Sequence, residues 1–195
     1  ISNGDMATLN TITGTGNAYT VTVTDPSVSA ADLVALNDKT TVNVDIEAVQ
    51  VVTGTMADLT KVYTAAGFTN TAESEAVNVT DTVIDAGELA LIRANATGTS
   101  GAVTTTNVTT LTGTTTQVLA ALDGTLANVS GIPANVAVTI KETAVDAEKL
   151  NDIDALTTGL ITIDTSVSKS LTGTLTETRV ALKSSKLVAN ATTDT

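Results

Sequence analysis

Three short stretches of the chain alternate apolar and polar residues and share one pattern. In each stretch Val or Ile stands at every second position, and an acidic residue closes the pattern at residues 21–25, 77–81 and 138–142. Alternation with a period of two is typical of a β-strand with one buried face. The chain is therefore a repeat array, and the three matching strands are predicted to stack side by side.

Six helix starts follow the strands. The predicted N-cap residues, whose side chains accept hydrogen bonds from free amides of the first helical turn, are Ser29, Thr55, Asp85, Thr114, Asp146 and Thr174. An acid or Gln stands three residues after five of the caps, which is the capping-box pattern, whereas Lys149 follows Asp146. Apolar pairs at helical spacing come next, at Leu33/Leu36, Leu59/Val62, Leu89/Ile92, Val118/Leu122, Leu150/Ile153 and Val180/Leu182.

Further strands are predicted at residues 42–46, 103–111 and 160–164, between the helices. A strand and a short helix every ~28 residues match one coil of a solenoid. The predicted fold is therefore α/β, a repeat solenoid of parallel β-strands with short capped helices, and the alternative is a mainly-β parallel solenoid. Residues 1–20 are predicted to end a preceding repeat, followed by repeats at 21–76, 77–137 and 138–195 in one continuous solenoid domain.

Composition supports an ordered chain with thin layers. Hydrophobic residues make up 42% of the 195 residues and the mean hydropathy is +0.26, which is enough apolar surface to oppose disorder. Aromatic residues make up only 2%, and about a fifth of the chain is Thr. A core of Val, Leu, Ile and Ala suits regular stacked layers better than a large globular interior.

Charge and missing residue types exclude several functions. The formal net charge of −12 argues against binding to nucleic acid or to an anionic membrane surface. No apolar run is long enough to span a bilayer. The chain has no His and no Cys, so the usual general base, thiol nucleophile and transition-metal ligands are missing. We predict that it is not an enzyme; a carboxylate-based glycosidase is the enzymatic alternative.

The acids that close the repeated strands, Asp25, Asp81 and Glu142, are the candidate metal site. Stacked carboxylates can bind calcium, the only cofactor considered, because calcium takes oxygen ligands. The favoured interpretation is structural: each acid accepts backbone amides in the turn before the next helix. Rows of Thr-x-Thr, such as Thr53/Thr55, are similar to the ice-binding faces of some solenoids, but these hydroxyls fall at helix caps.

The repeated Val-x-Val-Thr-Asp and Leu-Thr-Gly-Thr patterns resemble Thr-rich repeats of very large secreted or cell-surface bacterial proteins, described as adhesin-like or haemolysin-type. The resemblance covers most of residues 21–182 and implies an extracellular or cell-surface location. We expect a structural and interaction protein: a stalk, surface-layer, adhesin or filament component that contacts itself or neighbouring repeats of a longer chain. The alternative is a ligand-binding module for calcium, carbohydrate or ice on one face.

Overall fold

The computed structural model describes residues 2–64, 66–69, 75–96 and 102–190; Ile1 and residues 191–195, at the ends of the predicted segments, lie outside them. The seven helices of the described residues are α1 (Met6–Leu9), α2 (Ala30–Asn37), α3 (Met56–Thr64), α4 (Ala86–Asn95), α5 (Thr115–Leu122), α6 (Ala147–Leu156) and α7 (Leu175–Ala181).

Sixteen short strands accompany these helices in the described residues. They are β1 (Ser2–Gly4), β2 (Val21–Val23), β3 (Ser27–Ser29), β4 (Val44–Asp45), β5 (Val51–Gly54), β6 (Phe68–Thr69), β7 (Ala76–Val79), β8 (Val83–Asp85), β9 (Val103–Thr104), β10 (Thr110–Gly113), β11 (Val129–Ser130), β12 (Ala137–Ile140), β13 (Ala144–Asp146), β14 (Ile161–Asp164), β15 (Ser170–Thr172) and β16 (Leu187–Asn190). The predicted α/β class is confirmed.

The chain forms two compact units. Unit 1 comprises Ile1–Asp81 with Leu91–Thr105, and unit 2 comprises Thr82–Ala90 with Thr106–Thr195. The unit boundaries do not coincide with the predicted repeat boundaries, because strands pair across the repeat boundaries. For example, β5 of the first predicted repeat pairs with β7 of the second. Likewise β10 of the second pairs with β12 of the third.

Strand pairing within each unit is parallel. Unit 1 contains the orders β1-β2-β4-β6 and β3-β5-β7-β9, and unit 2 contains β8-β10-β12-β14-β16 and β13-β15. Paired residues stand 19 positions apart for Ser2 and Val21 and 27 apart for Thr110 and Ala137. Each strand therefore pairs with the strand one half-repeat away, at a spacing somewhat shorter than the sequence predicts.

The three matching strands do not stack on one another, and this prediction is wrong. They are β2, β7 and β12, and each belongs to a different sheet. The reason is that each repeat contains strands the sequence did not predict, including β3, β8 and β13 directly before the first helix and β6, β11 and β16 after the second. Each full repeat therefore contains five strands and two helices. As a result, equivalent strands of successive repeats lie in different sheets.

Aliphatic side chains form the core of each unit. The predicted helix residues Leu33, Leu59, Leu89 and Leu150 are all buried. For the last helix the prediction is wrong, since Val180 and Leu182 are 53% and 67% exposed and Ala181 takes the buried position.

Candidate functional site: the strand-to-helix junctions

All six predicted N-cap residues accept a hydrogen bond from an amide of the first helical turn. Ser29 Oγ accepts from Asp32 N at 3.4 Å, and Thr55 Oγ1 accepts from Asp58 N at 3.2 Å. Asp85 Oδ1 accepts from Gly87 N and Glu88 N. The remaining three are Thr114, Asp146 and Thr174. Asp5, which was not among the predicted caps, accepts from Thr8 N and caps α1 in the same way.

The reciprocal half of the capping box forms at two of these junctions. Gln117 and Glu177 each accept from the backbone N of their cap residue, Thr114 and Thr174. At Ser29 only the cap's own hydrogen bond is formed. Fulfilling the sequence pattern at position N3 therefore does not ensure the second bond.

Asp146 has an ion pair in place of the missing acid. Lys149 Nζ lies 2.5 Å from Asp146 Oδ2, while Asp146 Oδ1 accepts from Glu148 N and Lys149 N. The Lys149 side-chain bond, helped by these amides and by the positive charge, holds the pKa of Asp146 below its ordinary value of 3.8. Lys149, three residues after the cap, thus stabilises the ionised form of the Asp146 side chain.

The three candidate metal residues each bind the first amide of a distant helix. Asp25 Oδ2 accepts from Met6 N at 2.6 Å, and Asp81 Oδ2 accepts from Met56 N at 2.5 Å. Glu142 Oε1 accepts from Thr115 N at 3.0 Å. Each helix begins 19 to 27 residues before its acid. The predicted contact with the turn before the next helix is therefore replaced by a contact with an earlier helix.

Strand register places these acids. Val23, Val79 and Ile140, which end the repeated strands, pair with Gly4, Gly54 and Gly113. One residue later, the amides of Thr24, Thr80 and Lys141 donate to those glycine carbonyls at 3.1, 2.9 and 2.8 Å. The next residue is the acid, which stands opposite the first helical residue of the neighbouring half-repeat. If the parallel register continues for two residues beyond the paired glycine, the acid and the first helical residue stand side by side.

Each of these helix starts consequently has two capping groups. The helix's own cap, such as Thr55, accepts from the third amide, and Asp81 accepts from the first amide. Two of the four free amides at a helix N-terminus are thereby satisfied, and the negative charge lies at the positive end of the helix dipole. We call this arrangement the double-capped junction; it occurs at α1, α3 and α5.

A calcium site at these acids stays a prediction. Asp25, Asp81 and Glu142 follow strands of three different sheets. Within the part of the chain that the structure describes, no three His, Cys, Asp or Glu side chains are grouped so as to hold a metal ion. Each acid also already uses one carboxylate oxygen on an amide.

The threonines of the Thr-Gly-Thr motifs bond internally. Thr112 Oγ1 donates to Asp85 Oδ2 at 3.3 Å, and Thr172 Oγ1 donates to the carbonyl of Val145 at 3.1 Å. Thr53 Oγ1 accepts from Asn78 Nδ2 at 3.5 Å. These hydroxyls tie neighbouring strands together.

Two features of unit 1 were missed by sequence reasoning. One is an open cleft of about 470 Å³, whose lining combines Ser27, Thr53, Thr55 and Asp58 with apolar groups such as Val28. The other is the buried phenol of Tyr63, 6% exposed, whose pKa is raised by burial and by the charge of Glu75. Neither gives a sequence signal, because hydroxyl residues are abundant throughout and a lone Tyr is ordinary core material.

Comparison with known proteins assigns no function to these junctions. Among the described residues, no helix has both the length and the apolar character that crossing a bilayer requires. No protein family matches the chain, and no match was found among curated proteins or solved structures.

Proposed function

We propose that the chain is a structural and interaction segment of an extracellular bacterial protein. It is built as a solenoid in which the strands and short helices of successive half-repeats stack. Such a segment serves as a stalk, surface-layer component, adhesin or filament subunit. Its partners are neighbouring repeats or other copies of the protein, and it acts without catalysis or a resident cofactor.

The recurrence of the double-capped junction carries this proposal. A backbone bond to a glycine carbonyl, a carboxylate and the first amide of a helix meet in the same way at Asp25, Asp81 and Glu142. The acids that looked most able to do chemistry are thus used to join one half-repeat to the next. In repeat proteins, stability is approximately the sum of the intrinsic stabilities of the repeats and of such contacts between neighbours.

The alternative of a carboxylate-based glycosidase has little support. That chemistry needs two carboxyl groups about 5–10 Å apart across a cleft. The cleft of unit 1 has one carboxylate in its lining, Asp58, and this side chain bonds to Thr55 and Lys61. The chain also contains no His or Cys to replace the second group.

Carbohydrate binding is the ligand-binding alternative that an observation favours. The cleft at Ser27, Thr53 and Thr55 offers hydroxyl groups at a size suited to one or two sugar rings. Titration with bacterial oligosaccharides would shift the amide NMR signals of these residues if the cleft binds sugar. Binding that survives Thr53→Val would place it elsewhere.

An extracellular location is supported by the acidic, Thr-rich and Cys-free composition and by the resemblance to surface repeats. Protease added to intact producing cells is expected to cleave the protein. Full protection until the cells are lysed would contradict the location.

Deleting one repeat in register tests the solenoid. Removing residues 82–142 joins Asp81 to Thr143 and keeps the repeat phase, since Asp81 and Glu142 are equivalent. A solenoid is expected to fold without them, with cooperative unfolding and a smaller denaturant m-value.

The control removes residues 82–135, which joins Asp81 to Val136 and puts the two sides of the deletion seven positions out of phase. It is expected to unfold or aggregate. Equal failure of both shortened chains would contradict the solenoid, as would equal success.

A further inference from the structure

The last helix of unit 2 exposes a position that is buried in equivalent helices. The residue directly after the N-cap is 9% exposed at Met6, 5% at Met56 and 1% at Thr115, but 86% at Leu175 of α7. Eight positions after the cap, Tyr63 is 6% exposed and Leu182 is 67% exposed. Leu175 and Leu182 are two helical turns apart and share a face. This helix therefore presents an apolar surface to solvent.

The strand before this helix is also unpaired on one side. In unit 1 the corresponding strand, β5, lies between β3 and β7. In unit 2, β10 lies between β8 and β12. By contrast, β15 pairs with β13 and ends its sheet in the described residues. We call the edge of β15 together with Leu175 and Leu182 the end surface.

The established interfaces show what covers such a surface. On β10 and α5 the cover is the next repeat's strand β12, followed by β13 and α6. On β5 and α3 the strand is β7. Both covering strands have alternating Val or Ile and are followed by an acid, so continuity of the ladder calls for the same kind of strand on β15.

Charge supports an acidic occupant. Residues 165–190 carry Lys169, Arg179 and Lys183, besides Lys186, which pairs with Asp154, against one acid, Glu177, in a chain of net charge −12. In contrast, the covering segment 138–156 carries five acids and two lysines.

One position in the existing helix interface makes this complementarity specific. Between α5 and α6, Asp152 lines the same surface cleft as Leu119 and Asp123. The residues that correspond to Leu119 and Asp123 are Arg179 in α7 and Lys183 just after it, both exposed. A helix docked on α7 as α6 docks on α5 would place its acid beside two cations instead of beside another acid.

We propose that the end surface is a docking site for one further acid-bearing repeat of this protein's own type, a strand like β12 followed by a capped helix. The proposal rests on the proposed function and names the partner. The described N-terminal strand of a second copy fits less well, because β1 ends at Gly4 and the next residue, Asp5, already caps α1.

A unique thiol can report whether the end surface is covered. The chain has no Cys, so Leu175→Cys in the full chain provides one reactive group. In a second version, a copy of residues 131–156 replaces residues 191–195. The copied Ala137 then follows Thr174 at the same distance along the chain as Ala137 follows Thr114. We expect maleimide to label Leu175→Cys at least about tenfold more slowly in the extended chain, because the tethered repeat covers the site.

Three controls make the test decisive. Val83→Cys, at a site 57% exposed in the same unit, should label equally in both chains. An extension in which the copies of the buried residues Val138 and Ile140 are replaced by Asp should give no protection. Arg179→Glu with Lys183→Glu should reduce the protection.

Equal labelling of Leu175→Cys in the extended and control chains would overturn the proposal. Slower labelling of the unextended chain as its concentration rises would also overturn it, in favour of a second copy as occupant. If the in-register deletion folds while the extension gives no protection, the docking site fails and the proposed function stands.

Discussion

Two features explain the three glycines of the Thr-Gly-Thr motifs: contact with the Cβ of a neighbouring alanine, and a backbone φ that favours glycine. A Cβ at Gly54 would lie 2.7 Å from Ala30 Cβ, and one at Gly173 would lie 3.0 Å from Ala147 Cβ. Gly113 lies against Ala86 and has φ +146°, which side chains rarely adopt. Each alanine is the first residue of a helix and is fully buried.

Gly54→Ala is therefore expected to reduce the free energy of unfolding by about 1–3 kcal/mol, because the added methyl overpacks this contact. Gly4→Ala is the matched control: it precedes a helix cap in the same way, but its Cβ would meet Leu9 at an ordinary 3.6 Å. Urea unfolding measures both. Equal losses for the two variants would contradict close packing as the reason for glycine.

Asp81 provides the test of the double-capped junction. Asp81→Ala removes a charge-assisted hydrogen bond from Met56 N and is expected to lower the free energy of unfolding by about 1.5–3 kcal/mol. Hydrogen exchange should increase most in the first turn of α3. Glu47→Ala, at an exposed acid, serves as the control. An unchanged exchange rate at Met56 would show that the contact has no capping role.

The ion pair at Asp146 predicts a specific pH response. Because its folded-state pKa lies below the ordinary 3.8, the stability that Asp146 contributes is present above pH 3.8 and is lost as pH falls through the lowered pKa. Lys149→Met should raise the Asp146 pKa toward 3.8, measured by NMR titration of its carboxyl carbon. Lys39→Met, in unit 1, should leave it unchanged. A similar rise in both variants would mean that general charge, not contact with Lys149, lowers the pKa.

At the scale of elements, helices were predictable and some strands were not. A cap followed by apolar residues at helical spacing is a local signal, and it located α2 to α7. Strands β3, β8 and β13 are three residues long, with one buried apolar residue each and a cap residue at the end. Such a segment cannot be told from a turn by periodicity. The predicted strand at 103–111 is likewise two strands, β9 and β10.

The role of the acids could not be predicted because it depends on register between distant strands. The sequence identified Asp25, Asp81 and Glu142 as equivalent, and their spacing was informative. Which helix they reach follows only once β2, β7 and β12 are known to pair with β1, β5 and β10. Strands β1 and β5 were not predicted at all, so this pairing could not be read from the sequence.

Helix α4 offers a test of element packing within one helix. Leu89 is fully buried, and Leu91 is 46% exposed. Leu89→Ala is expected to lower the free energy of unfolding by about 2–5 kcal/mol, since it removes buried methyl groups and leaves a cavity. Leu91→Ala should lower it by well under half as much. Thermal and urea unfolding give both values; similar losses would mean that the helix is not oriented as described.

At the scale of the whole molecule, similar local junctions recur in both units. The core is almost without aromatic rings, so no single large side chain dominates it. Parallel pairing between strands 19 to 27 residues apart repeats through both units, and carboxylates connect strands to neighbouring helices. Losing one junction should weaken its neighbours first, which is the behaviour expected of a chain of nearest-neighbour contacts.

The response to calcium distinguishes structural acids from metal ligands across the whole molecule. A site filled at one hundred times its dissociation constant adds about 2.7 kcal/mol to stability. We expect millimolar calcium to change the melting temperature no more than the same concentration of magnesium does. The reason is that the acids at the double-capped junctions already accept hydrogen bonds from backbone amides. Magnesium is the proper control, since a net charge of −12 attracts any divalent cation. A rise with calcium alone that Asp81→Asn abolishes would make Asp81 a calcium ligand and would require its bond to Met56 N to be exchanged for the metal.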